Sequence, residues 1–199
     1  MPKVALSEKE RIIDAAIDLF ARKGYAASSA RDIARAVNVS VATIYYYFKG
    51  KEDLLFSIVE SCGNDLLAAL NTAVRESDDA EERLRSMLFR HVCLTHEKNK
   101  KVKIFVEQQN QLSRKFRSII HKQHRQIYEV YVGELRTLQE RNLLRGDSVP
   151  VATFAIFGMV NWCYRWYREG AGSSISHVAR QLVDLFCHGF VKREPCSKA

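Results

Sequence analysis

The chain has 199 residues, enough for one large domain or two small ones, and its 47% hydrophobic and 27% charged composition is that of an ordinary globular protein. Basic side chains (31) exceed acidic ones (23), and the net charge of +8 inclines the chain toward nucleic acid or another polyanion. Three prolines and nine glycines exclude a collagen-like, low-complexity or loop-rich β chain. Five cysteines (62, 93, 163, 187 and 196), odd in number and without a CxxC pair, fit a reducing cytosol rather than a disulfide framework. The opening MPKVALSEKE has no apolar signal region. The most apolar stretch, 149–162, is interrupted by Pro150, Thr153 and Asn161 and is too short to cross a bilayer. A cytoplasmic protein with no membrane partner is expected.

Helical periodicity runs through nearly the whole chain. A capping box of Ser7 and Glu10 opens the first helix, Ile12, Ile13, Ala16, Leu19 and Phe20 fall on one face, and Gly24 ends it. Ser28 or Ser29 caps a short second helix that turns Ile33, Ala34 and Val37 inward. Ser40 caps a third, Val41 to Phe48, and Lys51 opens a long fourth with Leu54, Leu55, Ile58 and Val59. After Ser77-Asp78-Asp79 a fifth helix reaches about Glu97, a shorter sixth follows, and a seventh spans about Ser113 to Asn142. Pro150 begins the eighth, Gly170 and Gly172 end it, and Ile175, Val178, Leu182, Leu185 and Phe186 mark the ninth. No strand with clean alternation and no internal repeat is present. The expectation is an all-α fold of about nine helices, with a three-helix head before a larger helical bundle.

Three short helices and a long connector make the layout of a helix-turn-helix, at about residues 30–49. Ile33, Val37, Val39, Ile44 and Tyr47 sit where such a motif buries its two helices against each other, and Asn38 lies where the turn needs a positive φ. The face left over is Val41, Thr43, Tyr45, Tyr46 and Tyr47, beside a capped helix N-terminus.

Residues 8–60 resemble the DNA-binding head of the TetR family of bacterial transcriptional regulators. The likeness rests on Ile12-Ile13-Asp14-Ala15-Ala16 with Leu19-Phe20 and Gly24-Tyr25, on Arg31-Asp32-Ile33-Ala34, on the run Val39 to Phe48, and on Lys51-Glu52-Asp53-Leu54-Leu55. Gly50 departs from the polar N-cap frequent at that position, although glycine also caps. The resemblance implies a DNA-binding domain over residues 1–55 and a ligand-binding and dimerisation domain over 56–199. It further implies double-stranded operator DNA and a small-molecule inducer as partners, a homodimer, and no enzymatic activity.

Within the head, Ser28 and Ser40 are expected to cap helix ends that suit a phosphate, and Lys51 to reach a neighbouring phosphate as a point charge. Tyr45, Tyr46 and Thr43 offer hydroxyls to phosphates or base edges, and Val41 offers apolar contact to a thymine methyl or sugar. Tyr47 divides between core and backbone contact; Arg31 divides between a base or groove contact and pairing with Asp32 or Asp14. Residues 1–60 carry nine basic and eight acidic groups, so the head has no broad electrostatic footprint; the excess falls in 61–146, with 16 and 11.

Helix eight carries Phe154, Phe157, Trp162, Tyr164, Trp166 and Tyr167. These form core and dimer interface, or an apolar pocket for an acyl chain or aromatic ring, or both on opposite faces. Gly158, Trp166, Val178, Leu182 and Leu185 are the expected dimer residues, Gly158 allowing close helix packing. Two basic clusters, Lys98/Lys100/Lys101/Lys103 and Arg114/Lys115/Arg117/Lys122/Arg125, read as solvated faces or as a site for a ligand's phosphates. The stretches Trp162–Tyr167 and Val183–Phe186 with Gly189 are similar to acyl-CoA-responsive members of the family. That implies a ligand site of Lys101, Phe105, Arg117, Lys122, Phe154, Phe157 and Trp162.

His121 and His124 share a helical face, but no Cys or carboxylate completes a metal set, so no metal and no cofactor is expected. Cysteines 62, 93, 163 and 187 read as packing residues. There is no Gly-rich phosphate loop, nucleophile elbow or paired-carboxylate constellation. A drug-efflux regulator sensing lipophilic compounds, a helical enzyme and a metal-binding helical protein stand as the competing readings.

Overall fold

The computed structural model describes residues 6–168 and 173–190. It runs α1 Glu8–Lys23, α2 Ala30–Val37, α3 Val41–Tyr47, α4 Lys51–Val74, α5 Ala80–Glu97, α6 Asn99–Gln108, α7 Arg114–Glu140, α8 Val149–Asn161, α9 Cys163–Trp166 and α10 Ile175–Phe190. A 3-10 turn, Gln109–Gln111, links α6 to α7, and no strand occurs among the described residues. The eighth helix stops at Asn161, and α9 is a separate turn. The expected stops at Gly170 and Gly172 lie outside the described residues, as does Cys196.

Local chemistry explains the head's boundaries. Ser7 and Glu10 cap α1 reciprocally, and Gly24 follows at φ +82°. Ser29, not Ser28, caps α2, with Asp32 returning the bond to complete a second capping box. Asn38 ends α2 at φ +56°, as expected of the turn, and Ser40 caps α3 through the Thr43 N–H.

By contacts the chain divides into two compact units: residues up to Gly63 with Lys100–Lys122, and Asn64–Asn99 with Gln123 onward. The division expected at residue 55 leaves 100–122 with the regulatory part. They pack with the head instead, because Ile104, Leu112 and Ile120 complete one apolar core with Ile12, Phe20, Ile33, Ile44, Leu54 and Ile58. Stacking of Phe56 on Phe116 at 4.3 Å extends that packing along α4 and α7.

The second unit has its own core. Leu84, Met87, Leu88 and Val92 of α5 meet Ile127, Tyr131, Leu135 and Leu138 of α7, Ala152, Ile156 and Val160 of α8, and Ala179, Val183 and Phe186 of α10. Each set recurs at three or four residues, the spacing of one helical face. Two polar pairs are embedded in it. Arg83 Nε donates to Glu134 at 2.8 Å. His91 Nδ1 shares a 3.0 Å hydrogen bond with the Tyr131 hydroxyl, both groups being buried, and the imidazole also meets the Asn161 side chain.

Burial pushes His91 down from 6.5 to about 4, against a smaller opposing effect of Asn161. Between those values the unfolded chain binds the proton that the folded one refuses, so stability is lost as pH falls from 6.5 toward 4. The loss amounts to about 3 kcal/mol once pH falls below 4, and above pH 6.5 no stability is lost. Denaturant unfolding from pH 7 to 4 is expected to show this loss in the wild type and a flatter profile in His91→Gln; parallel profiles would show that His91 charges without cost.

Candidate nucleic-acid interface

The exposed face of α3 is the strongest candidate for reading DNA. Tyr46 is 82% and Tyr45 56% exposed, a large apolar surface to leave in water on a seven-residue helix. Ile44 on the opposite side is fully buried and anchors the helix to the head. Ser40 Oγ and Thr43 Oγ1 share a 2.9 Å hydrogen bond at the start of the helix, where Ser40 also accepts the Thr43 N–H. Val41 is half-buried against the head core, leaving only part of its side chain to touch a thymine methyl or sugar. Tyr47 also packs on that core, its ring edge-on to Tyr46 at 4.9 Å. Its hydroxyl bonds to Glu8, and loss of solvent followed by the Glu8 charge raises its pKa. Its phenol is therefore engaged within the head.

Arg31 is exposed on α2 and pairs with neither Asp14 nor Asp32 among the described residues. Asp32 is instead bound to Ser29, whose hydroxyl and backbone hold its carboxyl below the ordinary value. That leaves the guanidinium exposed to solvent.

Two expected contacts are differently employed. Ser28 is buried, and its hydroxyl donates to the Gly24 carbonyl at 2.8 Å, so the cap that faces solvent at α2 is Ser29. Lys51 is half-buried, and its ammonium donates to the carbonyls of Tyr25 and Ser28 at 2.9 and 2.8 Å while lying 4.1 Å from the Tyr25 ring centroid. It is a staple between the start of α4 and the α1–α2 turn, with one N–H left over.

The residues expected around a ligand are divided between the two units. Lys101, Phe105, Arg117 and Lys122 belong to the first unit; Phe154, Phe157 and Trp162 belong to the second. The α6 lysines are spent on packing: Lys100 pairs with Asp18 at 2.6 Å, Lys101 donates to Ser61 Oγ at 3.0 Å, and Lys103 donates to the Ala21 carbonyl at 2.8 Å. Phe105 is half-buried against the head core, whereas Arg117 and Lys122 are exposed. Phe154 and Trp162 are also exposed, at 64% and 55%, while Phe157 turns inward to Tyr131 and His91, with ring centroids at 5.6 and 6.4 Å. Sequence reasoning missed His91 and Tyr131 as a pair because they lie 40 residues apart.

Of the expected dimer residues, Gly158, Trp166 and Leu185 are exposed, Leu182 is half-buried, and Val178 is buried. Val151, Phe154, Gly158 and Trp162 recur at three and four residues and form one exposed stripe. An open groove of about 330 Å³ is lined by Arg85, Ser86, Phe89, Arg180, Val183 and Asp184, a set that no sequence pattern brings together. Cys62, Cys163 and Cys187 are buried and Cys93 half-buried; burial raises the thiols of Cys163 and Cys187 to about 11, which suits packing rather than thiolate chemistry. No three potential metal ligands converge among the described residues, and no helix among them is long and apolar enough to cross a membrane.

Replacing Tyr45 and Tyr46 together by Ala is expected to abolish specific operator binding, at about 1–3 kcal/mol for each base or phosphate interaction removed, with the helicity of the chain unchanged because both rings are exposed. Gel shift on the DNA upstream of the protein's own gene, with circular dichroism, checks this; wild-type affinity in the double variant would remove α3 as the reading helix.

Comparison with known proteins agrees with this geometry. The model of the bacterial regulatory proteins of the tetR family matches residues 12–58, and that of the tetracyclin repressor-like C-terminal domain matches residues 77–190. The fatty acid metabolism regulator protein of Bacillus subtilis strain 168 is 29% identical over 184 residues, covering 90% of this chain and 93% of the relative. The TetR family transcriptional regulator PfmR from Thermus thermophilus superposes with a TM-score of 0.85 at 29% identity, over 96% of this chain and 100% of that one. AibR, solved in complex with isovaleryl coenzyme A and operator DNA, shares the fold with a TM-score of 0.82 at 23% identity, over 90% of this chain and 97% of that one. With its reading head and the larger part of its remaining length both matched, the chain belongs to the TetR family of bacterial regulatory proteins and is a DNA-binding transcriptional regulator rather than an enzyme.

Proposed function

We propose that the protein is a homodimeric repressor released from a palindromic operator when an acyl-CoA or similarly bulky thioester binds its second unit. The observation that carries the ligand class is the buried His91–Tyr131 pair under the half-buried ring of Phe157. An apolar interior with an uncharged polar cluster beside Phe157 suits an acyl chain that carries one carbonyl. The groups in that cluster are an imidazole kept neutral by burial, a phenol and the Asn161 amide, which offer hydrogen bonds but no charge. A free carboxylate finds no cation there, and a lipophilic cation finds no carboxylate, since Glu134 is paired with Arg83. Movement of Phe157 would admit the chain. The relative named for fatty acid metabolism and the fold neighbour solved with isovaleryl coenzyme A favour the same class.

Release requires the ligand to bind the DNA-free state more tightly, because equal affinity for both states shifts nothing. At a hundredfold excess over Kd the fitting ligand stabilises the fold by about 2.7 kcal/mol. A thermal-shift and gel-shift panel is expected to show acyl-CoAs raising Tm and releasing DNA, with free fatty acids and cationic dyes inactive and His91→Gln weakening the response. A cationic dye that releases DNA while no acyl-CoA shifts Tm would support the drug-efflux reading instead.

The dimer reading rests on the stripe of Val151, Phe154, Gly158 and Trp162 with Trp166 and Leu185, an exposed apolar and aromatic set within the second unit. A side chain built on Gly158 would meet no neighbour within 4 Å, so the stripe is open for a facing helix. Leu185→Glu, at a position 66% exposed, is expected to leave the monomer folded, abolish the dimer in sedimentation and weaken operator binding steeply. A dimer that survives this change would move the interface off α10.

A further inference from the structure

Most of the chain's net charge lies on the compact unit that carries the reading helix. Residues 1–63 and 100–122 hold 16 basic and 9 acidic side chains, a net of +7 out of +8. The segment 100–122 alone contributes seven basic residues and one acidic, Glu107. The α6 lysines among them are tied to Asp18, Ser61 and Ala21. Arg114, Lys115 and Arg117 are exposed and form no ion pair among the described residues; Lys115 lies 6.0 Å from the centroid of its neighbour Phe116.

Three cations in the first turn of a helix oppose its dipole, by about 0.3–1 kcal/mol each. The first turns of α1, α2, α4 and α5 carry acids, as helix electrostatics favours; those of α3, α6, α7, α8, α9 and α10 carry none, and among them α7 has the most basic residues, three in its first four. The placement works against the helix and fits an external anion. Its position is fixed within the head. The Ser113 N–H donates to Glu52 Oε1 at 2.5 Å, and Phe116 stacks on Phe56, so α7 starts beside the start of α4 and runs the same way. Glu52 follows Lys51, the staple to the turn that leads into the Ser29 cap, and α4 itself begins four residues after α3 ends.

We infer that Arg114, Lys115 and Arg117 form a second DNA contact, gripping the phosphate backbone beside the stretch read by α3, without regard to sequence. Lys122 stands eight residues further on, about 12 Å up the helix from Arg114, and takes no part. Positioning by phosphate contacts and reading by base contacts are then divided between α7 and α3. The inference rests on the DNA-binding reading of the head, and the experiment separates the two.

The test measures affinity against salt concentration, on the DNA upstream of the protein's gene and on a mixed-sequence duplex long enough for two half-sites. Arg114→Gln with Arg117→Gln is expected to weaken both DNAs by the same factor, on the order of tenfold at physiological salt, and to lower the salt slope by about 0.9 for each phosphate no longer neutralised. Arg114→Lys with Arg117→Lys restores the slope, and Lys122→Gln leaves it unchanged. Tyr45→Ala with Tyr46→Ala loses the preference for upstream DNA but keeps the mixed-sequence slope. An unchanged slope in the glutamine variant, with a wild-type melting curve, would overturn the second contact while leaving the reading helix in place. A fall confined to the upstream DNA would overturn its sequence independence, and a slope lowered equally by Lys122→Gln would reduce the cluster to a general charge effect.

Discussion

The geometry of the DNA-reading head depends on how the turn between α1 and α2 is held. That turn leaves Ala26 and Ala27 exposed, and it is held through its backbone carbonyls. The Lys51 ammonium takes two of them, from Tyr25 and Ser28, and lies against the Tyr25 ring. From the other side Gln108 accepts the Tyr25 N–H, and Lys103 takes the carbonyl of Ala21. Hydrogen bonds to a charged group contribute roughly 1.5–3 kcal/mol each when shielded from water. With the turn fixed from α4 and from α6, Ser29 starts α2 at a defined place. Arg11 bonds the Val37 carbonyl at its far end, and Asn38 and Ser40 then set the direction of α3.

Much of this head is legible in the sequence because its signals are local. Capping serines, Gly24 and Asn38 act within four residues of themselves, so pattern and physics coincide. The choice between Ser28 and Ser29 is not legible. Two adjacent hydroxyls offer the same chemistry, and only the backbone conformation decides which one points at the helix and which one at Gly24. Lys51 stands out by its position, but its partners are 23 and 26 residues away, and a lysine at a helix start looks the same whether its ammonium meets a phosphate or a carbonyl.

The regulatory part is less readable for the same reason. Phe154 and Phe157 are one turn apart and group together by spacing, yet the first falls on the exposed stripe and the second on its flank, where it turns toward Tyr131. Trp162 ends α8 without a glycine or proline to announce it. The lysines of α6 have the composition of a solvated run, and nothing in their spacing reveals Asp18, Ser61 or Ala21. Charge counted along the chain puts the excess away from the head; charge counted by contacts puts it there, because 100–122 packs against α1 and α4.

That packing also governs how the protein comes into being. The head's core is not complete until Ile104, Leu112 and Ile120 are present, although its helices α1 to α3 end at Tyr47. During synthesis the first three helices emerge with one wall of their core still untranslated, and they must wait several seconds, at roughly 5–20 residues per second, for it to arrive. The closing contacts are long-range in sequence and carry the loop-closure cost that slows folding. A fragment cut after the helix-turn-helix would lack Leu54 and Ile58 as well, leaving Phe20 and Ile33 open to water, and the reading head is therefore not an independent module without the segment that reaches Lys122.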